Sequence, residues 1–296
     1  MARFGRILTA MVTPFDDDGN VDLDAAASLA KWLVEQGNEG LVVAGTTGES
    51  PTLSVDEKLG LFAAVTDSVT VPVVAGSTGT NTGADVALTA EASKLGVAAI
   101  LGVCPYYNRP SQAGIEAHFR AIAGATELPV VLYDIPIRAG RKIDTSTIVR
   151  LGTEVSNIVA LKDAAGNPGE TASIVIDTPS SFEVYSGDDS MTLPLLAVGA
   201  VGAIGVATHW CSPEHVEMFD AWQGHDVPAA QSANARQLES FRFETSDAAP
   251  NPVPSKAMLR TLGHAVGHCR LPMGPMPDGL EDEARAIYQR LVAGRR

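Results

Sequence analysis

Short apolar runs recur along the chain at 7–12, 40–44, 71–75, 98–103, 129–133, 158–162, 182–186 and 203–206. They are near-continuous rather than alternating, the pattern of parallel strands covered on both faces. Between them, apolar residues at three- and four-residue spacing predict amphipathic helices, including 23–36, 55–67, 84–95, 111–123 and 191–198. Helix-start residues precede several of these: Asp22, Ser190, and Ser54 with Glu57 three positions on, a capping box. Gly37 and Gly96 stand where two helices would end in a left-handed turn.

Eight strand–helix units within about 225 residues predict an α/β fold, a (β/α)8 TIM barrel. A doubly wound open sheet is the alternative. It is weakened because no Gly-x-Gly-x-x-Gly opens a helix after the first strand, and no Walker-type phosphate loop is present. From about residue 226 the texture changes. Helical patterns at 229–239, 255–262 and 281–293 are separated by joints such as Ala249-Pro250-Asn251-Pro252-Val253-Pro254. The expected division is a barrel over 1–225 and a small C-terminal helical domain over 226–296.

Composition narrows the function classes. The 296 residues are 45% hydrophobic, as in a globular chain, and carry a net charge of −14. That charge argues against nucleic acid or an anionic membrane as a partner. The three scattered cysteines, Cys104, Cys211 and Cys269, form no CxxC pair, which fits a reducing compartment. No apolar stretch is long enough to span a membrane, and no signal peptide is visible, so a cytoplasmic location is expected.

The ends of the strands carry the chemistry. Lys162 closes the run Ile158-Val159-Ala160-Leu161-Lys162. Burial at a strand end disfavours its ammonium form and lowers the amine pKa. A neutral amine can attack a ketone and form a Schiff base. In isolation, a lysine in such a place more often snorkels to solvent. The other strand exits strengthen the catalytic reading. Gly45-Thr46-Thr47-Gly48-Glu49-Ser50 offers amides and hydroxyls for a carboxylate, or simply a tight turn. Tyr107 and Tyr133 can relay protons near an amine, or pack with satisfied hydroxyls. Arg138 can clamp a carboxylate, or pair with Asp134 or Asp144. Asp188 and Asp189 read as helix caps rather than an acid–base pair. His264 and His268 have i, i+4 spacing but no matching carboxylate, and His209 with Cys211 is isolated, so no metal site is expected.

With these residues in view, the chain resembles the dihydrodipicolinate synthase family within the pyruvate-dependent class I aldolases. The likeness runs from Leu8-Thr9-Ala10-Met11-Val12-Thr13-Pro14-Phe15 to Asn251-Pro252-Val253-Pro254-Ser255-Lys256. The 45–50 loop, Tyr133-x-x-Pro136 and the Lys162 strand carry it, with Tyr106-Tyr107-Asn108-Arg109-Pro110 and Arg138 favouring the synthase. The resemblance implies that Lys162 forms an imine with pyruvate, whose carboxylate rests on Thr46 and Thr47. It implies that Tyr133 and Thr46 exchange protons near the imine and that Tyr107 completes the relay from a neighbouring subunit. Arg138 would take the carboxylate of L-aspartate 4-semialdehyde, and Gly187 and Ile204 would line the pocket through their carbonyls. A homo-oligomer is implied, a tight dimer or a dimer-of-dimers tetramer, with no metal or organic cofactor.

The chain departs from the family pattern in two places. Position 134 is Asp where many members carry Asn. Lysine-inhibited members tend to carry histidines on the helix after Gly-Glu-Ser, where this chain has Val55 and Lys58; Asn81 and Tyr106 remain, with Asp85 in place of Glu. Feedback inhibition by L-lysine is therefore expected to be weak or absent. Two other functions compete: a sister lyase acting on a keto-sugar acid or hydroxy-oxo acid, as N-acetylneuraminate lyase does, and a non-catalytic regulator on an aldolase scaffold. Arg138 speaks against the first, and the intact Lys162, Tyr133, Thr46 and Tyr107 against the second.

Overall fold

The computed structural model describes residues 2–295. Eight strands close into one barrel in chain order: β1 (Ile7–Ala10), β2 (Gly40–Val43), β3 (Val73–Gly76), β4 (Ala99–Val103), β5 (Val130–Asp134), β6 (Ile158–Asp163), β7 (Glu183–Ser186) and β8 (Gly202–Gly205). Between them lie α1 (Leu23–Glu35), α2 (Val55–Ser68), α3 (Thr82–Ala92), α4 (Gln112–Ala123), α5 (Pro136–Ala139), α6 (Thr145–Glu154), α7 (Pro168–Asp177) and α8 (Thr192–Ala197). After β8 come α9 (Ser212–Gln223), α10 (Val227–Phe243), α11 (Val253–Thr261) and α12 (Leu280–Ala293). This is the expected (β/α)8 TIM barrel with C-terminal helices.

By its internal contacts the chain forms two compact units. One holds the segment up to Arg6 with Pro72–Ile204, and the other Ile7–Val71 with the described residues from Gly205 onward. In the first, β5, β6 and β7 run parallel, with Tyr133 opposite Lys162 and Lys162 opposite Tyr185. Val130, Val131, Leu132, Ala160 and Leu161 are fully buried, as both faces of a parallel sheet demand. In the second, the C-terminal helices share a core of Trp210, Phe241, Phe243, Met258, Ile287 and Leu291. The Trp210 indole N–H is satisfied by Ser240 Oγ at 2.9 Å.

Local signals read in the sequence hold. Asp22 accepts from the Ala25 amide, and Ser54 and Glu57 form both bonds of a capping box. Gly37 and Gly96 adopt φ of +103° and +76°. Several strand ends differ from expectation. β1 stops at Ala10 rather than residue 12, because the Val12 amide donates to His209 Nε2 (3.1 Å). β2 stops at Val43 because Ala44 turns left-handed at φ 53°. β3 begins at Val73 because Pro72 has no N–H to enter a ladder. β8 ends at Gly205, where Val206 turns helical. The helix expected after Ser190 begins later: Asp188 caps a short 3-10 turn, Asp189–Met191, and α8 follows. Short helices α5, α6 and α7, and α9 after β8, complete the set that periodicity resolved only in part.

Candidate active site

Lys162 is the penultimate residue of β6, and only 4% of it is exposed. Its Nζ lies 4.3 Å from the centroid of the Tyr133 ring, which is presented by the paired position on β5. A lysine amine so placed is attracted to the ring face. The lysine stem passes over Gly187, just beyond β7. A Cβ on Gly187 would stand 2.9 Å from Lys162 Cγ, 3.1 Å from its Cε and 3.0 Å from Ala164 Cβ. Gly187 thus gives the stem room, and its own amide donates to Asp163 O at 2.7 Å. Ile204, on β8, is buried.

Behind the Tyr133–Lys162 pair stand two carboxylates, also opposite each other, Asp134 and Asp163. Asp163 accepts from the Ala165 amide and from the Thr171 hydroxyl. Asp134 accepts from the Ile143 amide at 3.1 Å, and Lys142 Nζ lies 3.7 Å away. Burial pushes Asp134 up to about 6, against the pull of the Ile143 amide and Lys142. Lys142 in turn pairs with Glu170 at 2.6 Å. Cys104, buried beside this sheet, is no competing nucleophile, since burial pushes its thiol up to about 12.

Tyr107 and Arg138 are placed differently. Tyr107 is 93% exposed and left-handed at φ 70°, with its amide donating to Ala139 O at 3.3 Å. That bond ties the loop after β4 to α5, the single turn that carries Arg138. Arg138 is exposed on that turn. The structure therefore brings Lys162, Tyr133 and Gly187 together and leaves Tyr107 and Arg138 exposed, on a loop and a helical turn joined by the Tyr107–Ala139 bond.

In the second unit, Gly45–Ser50 follows β2. Glu49 is left-handed (φ 56°), and the amides of Glu49 and Ser50 turn back to Thr46 O and Gly45 O. Among the described residues nothing accepts from the amides of Thr46, Thr47 or Gly48. Three successive donors of this kind form a cradle for an anion. The loop has no slack: a Cβ on Gly48 would come within 3.0 Å of Ala44 Cα and 3.1 Å of Met11 O. Thr13 Oγ1 donates to Gly48 O at 2.6 Å.

The residues that hold this loop are ones that local patterning misses. Asn251 donates to the buried Thr47 hydroxyl at 2.9 Å. Glu49 and Lys256 form an ion pair at 2.9 Å with both side chains fully buried, its angle too poor for an aligned hydrogen bond. The second Glu49 oxygen accepts from the Arg270 amide. Lys256 also donates to His268 O and lies 4.0 Å over the Phe15 ring, and burial lowers its pKa in spite of Glu49. Arg270 joins Glu57 and covers the same ring. The one sequence hint is a lysine directly before the apolar run Ala257-Met258-Leu259, which needs a buried acid somewhere.

Comparison with known proteins gives the family and the fold. The model of the dihydrodipicolinate synthetase family matches residues 3–291. The 4-hydroxy-tetrahydrodipicolinate synthase of Moorella thermoacetica is 49% identical over 276 residues, 92% of each chain. A crystal structure of a Bacillus anthracis dihydrodipicolinate synthase is 43% identical, with a TM-score of 0.92 over 98% of this chain and 99% of the other. The enzyme from Cyanidioschyzon merolae, solved with lysine bound, is 41% identical, with a TM-score of 0.93 over 98% of both chains. The chain belongs to the dihydrodipicolinate synthetase family and is a Schiff-base lyase of that type.

Proposed function

We propose that this chain condenses pyruvate with L-aspartate 4-semialdehyde to give 4-hydroxy-tetrahydrodipicolinate, a step of diaminopimelate and lysine biosynthesis. The observation that carries the proposal is the buried Lys162 amine 4.3 Å above the Tyr133 ring. Lys162 Nζ attacks the pyruvate keto carbon, and loss of water leaves an imine. The imine is the electron sink for removal of a methyl proton, so the enamine forms without a metal. The enamine carbon attacks the aldehyde, and the new alkoxide takes a proton. The amino group of the second substrate then displaces Lys162 from the imine carbon, closing the ring and freeing the lysine.

In this reading the amides and hydroxyls of Thr46 and Thr47 hold the pyruvate carboxylate. Tyr133, Thr46 and Tyr107 move the protons. Arg138 takes the carboxylate of the semialdehyde, and Gly187 and Ile204 border the pocket. The exposure of Tyr107 supports its reaching the site of a second copy, so a homodimer or a dimer of dimers belongs to the proposal. A cytoplasmic location belongs to it as well; no helix among the described residues is long and apolar enough to cross a membrane. Borohydride reduction in the presence of pyruvate, followed by peptide mass spectrometry, is expected to find the adduct on Lys162 and to lose it in Lys162→Ala. An unmodified Lys162 in the active chain would overturn the mechanism. A coupled assay with L-aspartate 4-semialdehyde tests the second substrate.

A further inference from the structure

The tail reaches the 45–50 loop on both sides of Gly48, through Asn251 on Thr47 and Lys256 on Glu49. The two contacts differ in kind. The second holds the loop in place. The first acts on the one hydroxyl in the loop that is buried and whose proton can point in more than one direction. A threonine hydroxyl has one proton and two lone pairs, and it rotates to suit its neighbours. Asn251 Nδ2 donates to Thr47 Oγ1 at 2.9 Å, while Ser255 Oγ donates to Asn251 Oδ1 at 3.2 Å. Ser255 is fully buried, on the first turn of α11, and the Asn251 amide nitrogen of the backbone is bound to Thr245 Oγ1 at 3.3 Å. The side-chain amide is thus held at its oxygen end, with its N–H on Thr47.

With one lone pair of Thr47 occupied by a donor, its own proton must point elsewhere. The neighbouring amides of Thr46, Thr47 and Gly48 are all donors, so none of them can accept it. A carboxylate oxygen seated on those amides is an acceptor for it, and the bond from Asn251 takes one of the directions in which the hydroxyl could otherwise turn. We propose that Asn251 is a positioning residue for the substrate carboxylate: it fixes the Thr47 hydroxyl as a donor, directed with the loop amides at one anion. The inference rests on the reading in which Thr46 and Thr47 take pyruvate. Without Asn251 the hydroxyl is free to turn back on local backbone carbonyls, as threonine does in turns.

The test is Asn251→Asp, which keeps the shape and reverses the polarity. An aspartate accepts the Thr47 proton and places a negative charge beside the cradle. The half-saturating pyruvate concentration, read from borohydride trapping on Lys162 and from steady-state KM, is expected to rise about tenfold or more, the loss expected for a hydrogen bond to a charged group. The turnover number should change less than about threefold. Asn251→Ala should raise KM by less than Asn251→Asp. Thr47→Val added to Asn251→Asp should cost little more, because both changes remove the same donor. If Asn251→Asp does not fold, Ser255→Ala releases the amide without touching the loop and should raise KM a few-fold at unchanged turnover. Wild-type KM in Asn251→Asp, or in Ser255→Ala where that variant is used, would overturn the inference alone. Full additivity with Thr47→Val would also overturn it. A wild-type chain that traps no pyruvate on Lys162 would overturn the parent reading and this one with it.

Discussion

Lys256→Met is the sharpest probe of the tail's hold on the loop. Methionine keeps most of the aliphatic stem, so the change removes a charge more than it opens a hole. It strands the Glu49 carboxylate, whose side chain is fully buried, with the Arg270 amide still donating to it at 2.9 Å. Breaking a buried ion pair from one side costs about 3–5 kcal/mol. Loss of the cation over Phe15, at 4.0 Å, adds about 0.5–2 kcal/mol. The retained Arg270 amide and the nearby Arg270 charge pull the sum toward the low end, about 3–4 kcal/mol. At about 2–4 °C per kcal/mol, the melting temperature should fall by on the order of 10 °C. The origin of the loss is tested by Glu49→Gln with Lys256→Met. Glutamine still accepts from the Arg270 amide and leaves no buried charge, so the double variant should stand within about 2 kcal/mol of wild type and above the lysine single variant. Urea unfolding followed by circular dichroism, with thermal scans beside it, measures all three. A Lys256→Met chain within about 1 kcal/mol of wild type, or a double variant that loses the sum of the singles, would refute the argument that the uncompensated charge dominates.

Three further outcomes follow from the same structure. Gly187→Ala must push the lysine stem aside, because Ala164 Cβ closes the other direction; kcat/KM should fall about 100-fold while stability changes by less than about 2 kcal/mol, and a variant within threefold of wild type would count against the packing. Asp134 has a folded pKa of about 6, above its ordinary 3.8, with burial the leading cause and Asp163 and Glu170 adding to it. A group raised in this way favours the fold below about 4, and that contribution is lost as pH rises through about 6. Asp134→Asn should therefore gain stability relative to wild type between pH 4.5 and 7.5, by up to about 3 kcal/mol, and a difference that shrinks with pH would sink the assignment. Isothermal titration with L-lysine should show weak or no binding, given an exposed Val55 and the positive Lys58 on α2; micromolar affinity would reject that expectation.

The barrel was legible because parallel strands write themselves as contiguous apolar runs, and because glycine and capping residues act on their immediate neighbours. Lys162 was legible for the same reason: a cation closing a buried strand is conspicuous in one dimension. The strand ends were less so. Whether Val12 continues a ladder depends on His209, and whether Ala44 does depends on a left-handed turn that an alanine does not advertise. The support of the loop was hidden most deeply. Asn251 and Thr47, like Lys256 and Glu49, are partners only in three dimensions, and no periodicity links residues so far apart in the chain. Asp134 stands out in the sequence as a departure from its family, but its pairing with Lys142 and its raised pKa depend on burial and on a contact that only the fold creates.

The lysine of the Tyr133–Lys162 pair is made well before the loop's supports. As the chain leaves the ribosome, β2 and the Thr46–Thr47 turn emerge early, β6 and its amine midway, and Asn251, Lys256 and Arg270 near the end. Until those last residues arrive, Glu49 has neither its cation nor its amide donor, and burying it is unfavourable. The proposed pyruvate cradle thus has its supports only once the tail has been made. A frameshift or premature stop late in the message would leave every proposed catalytic residue in place and remove the partners that hold the 45–50 loop.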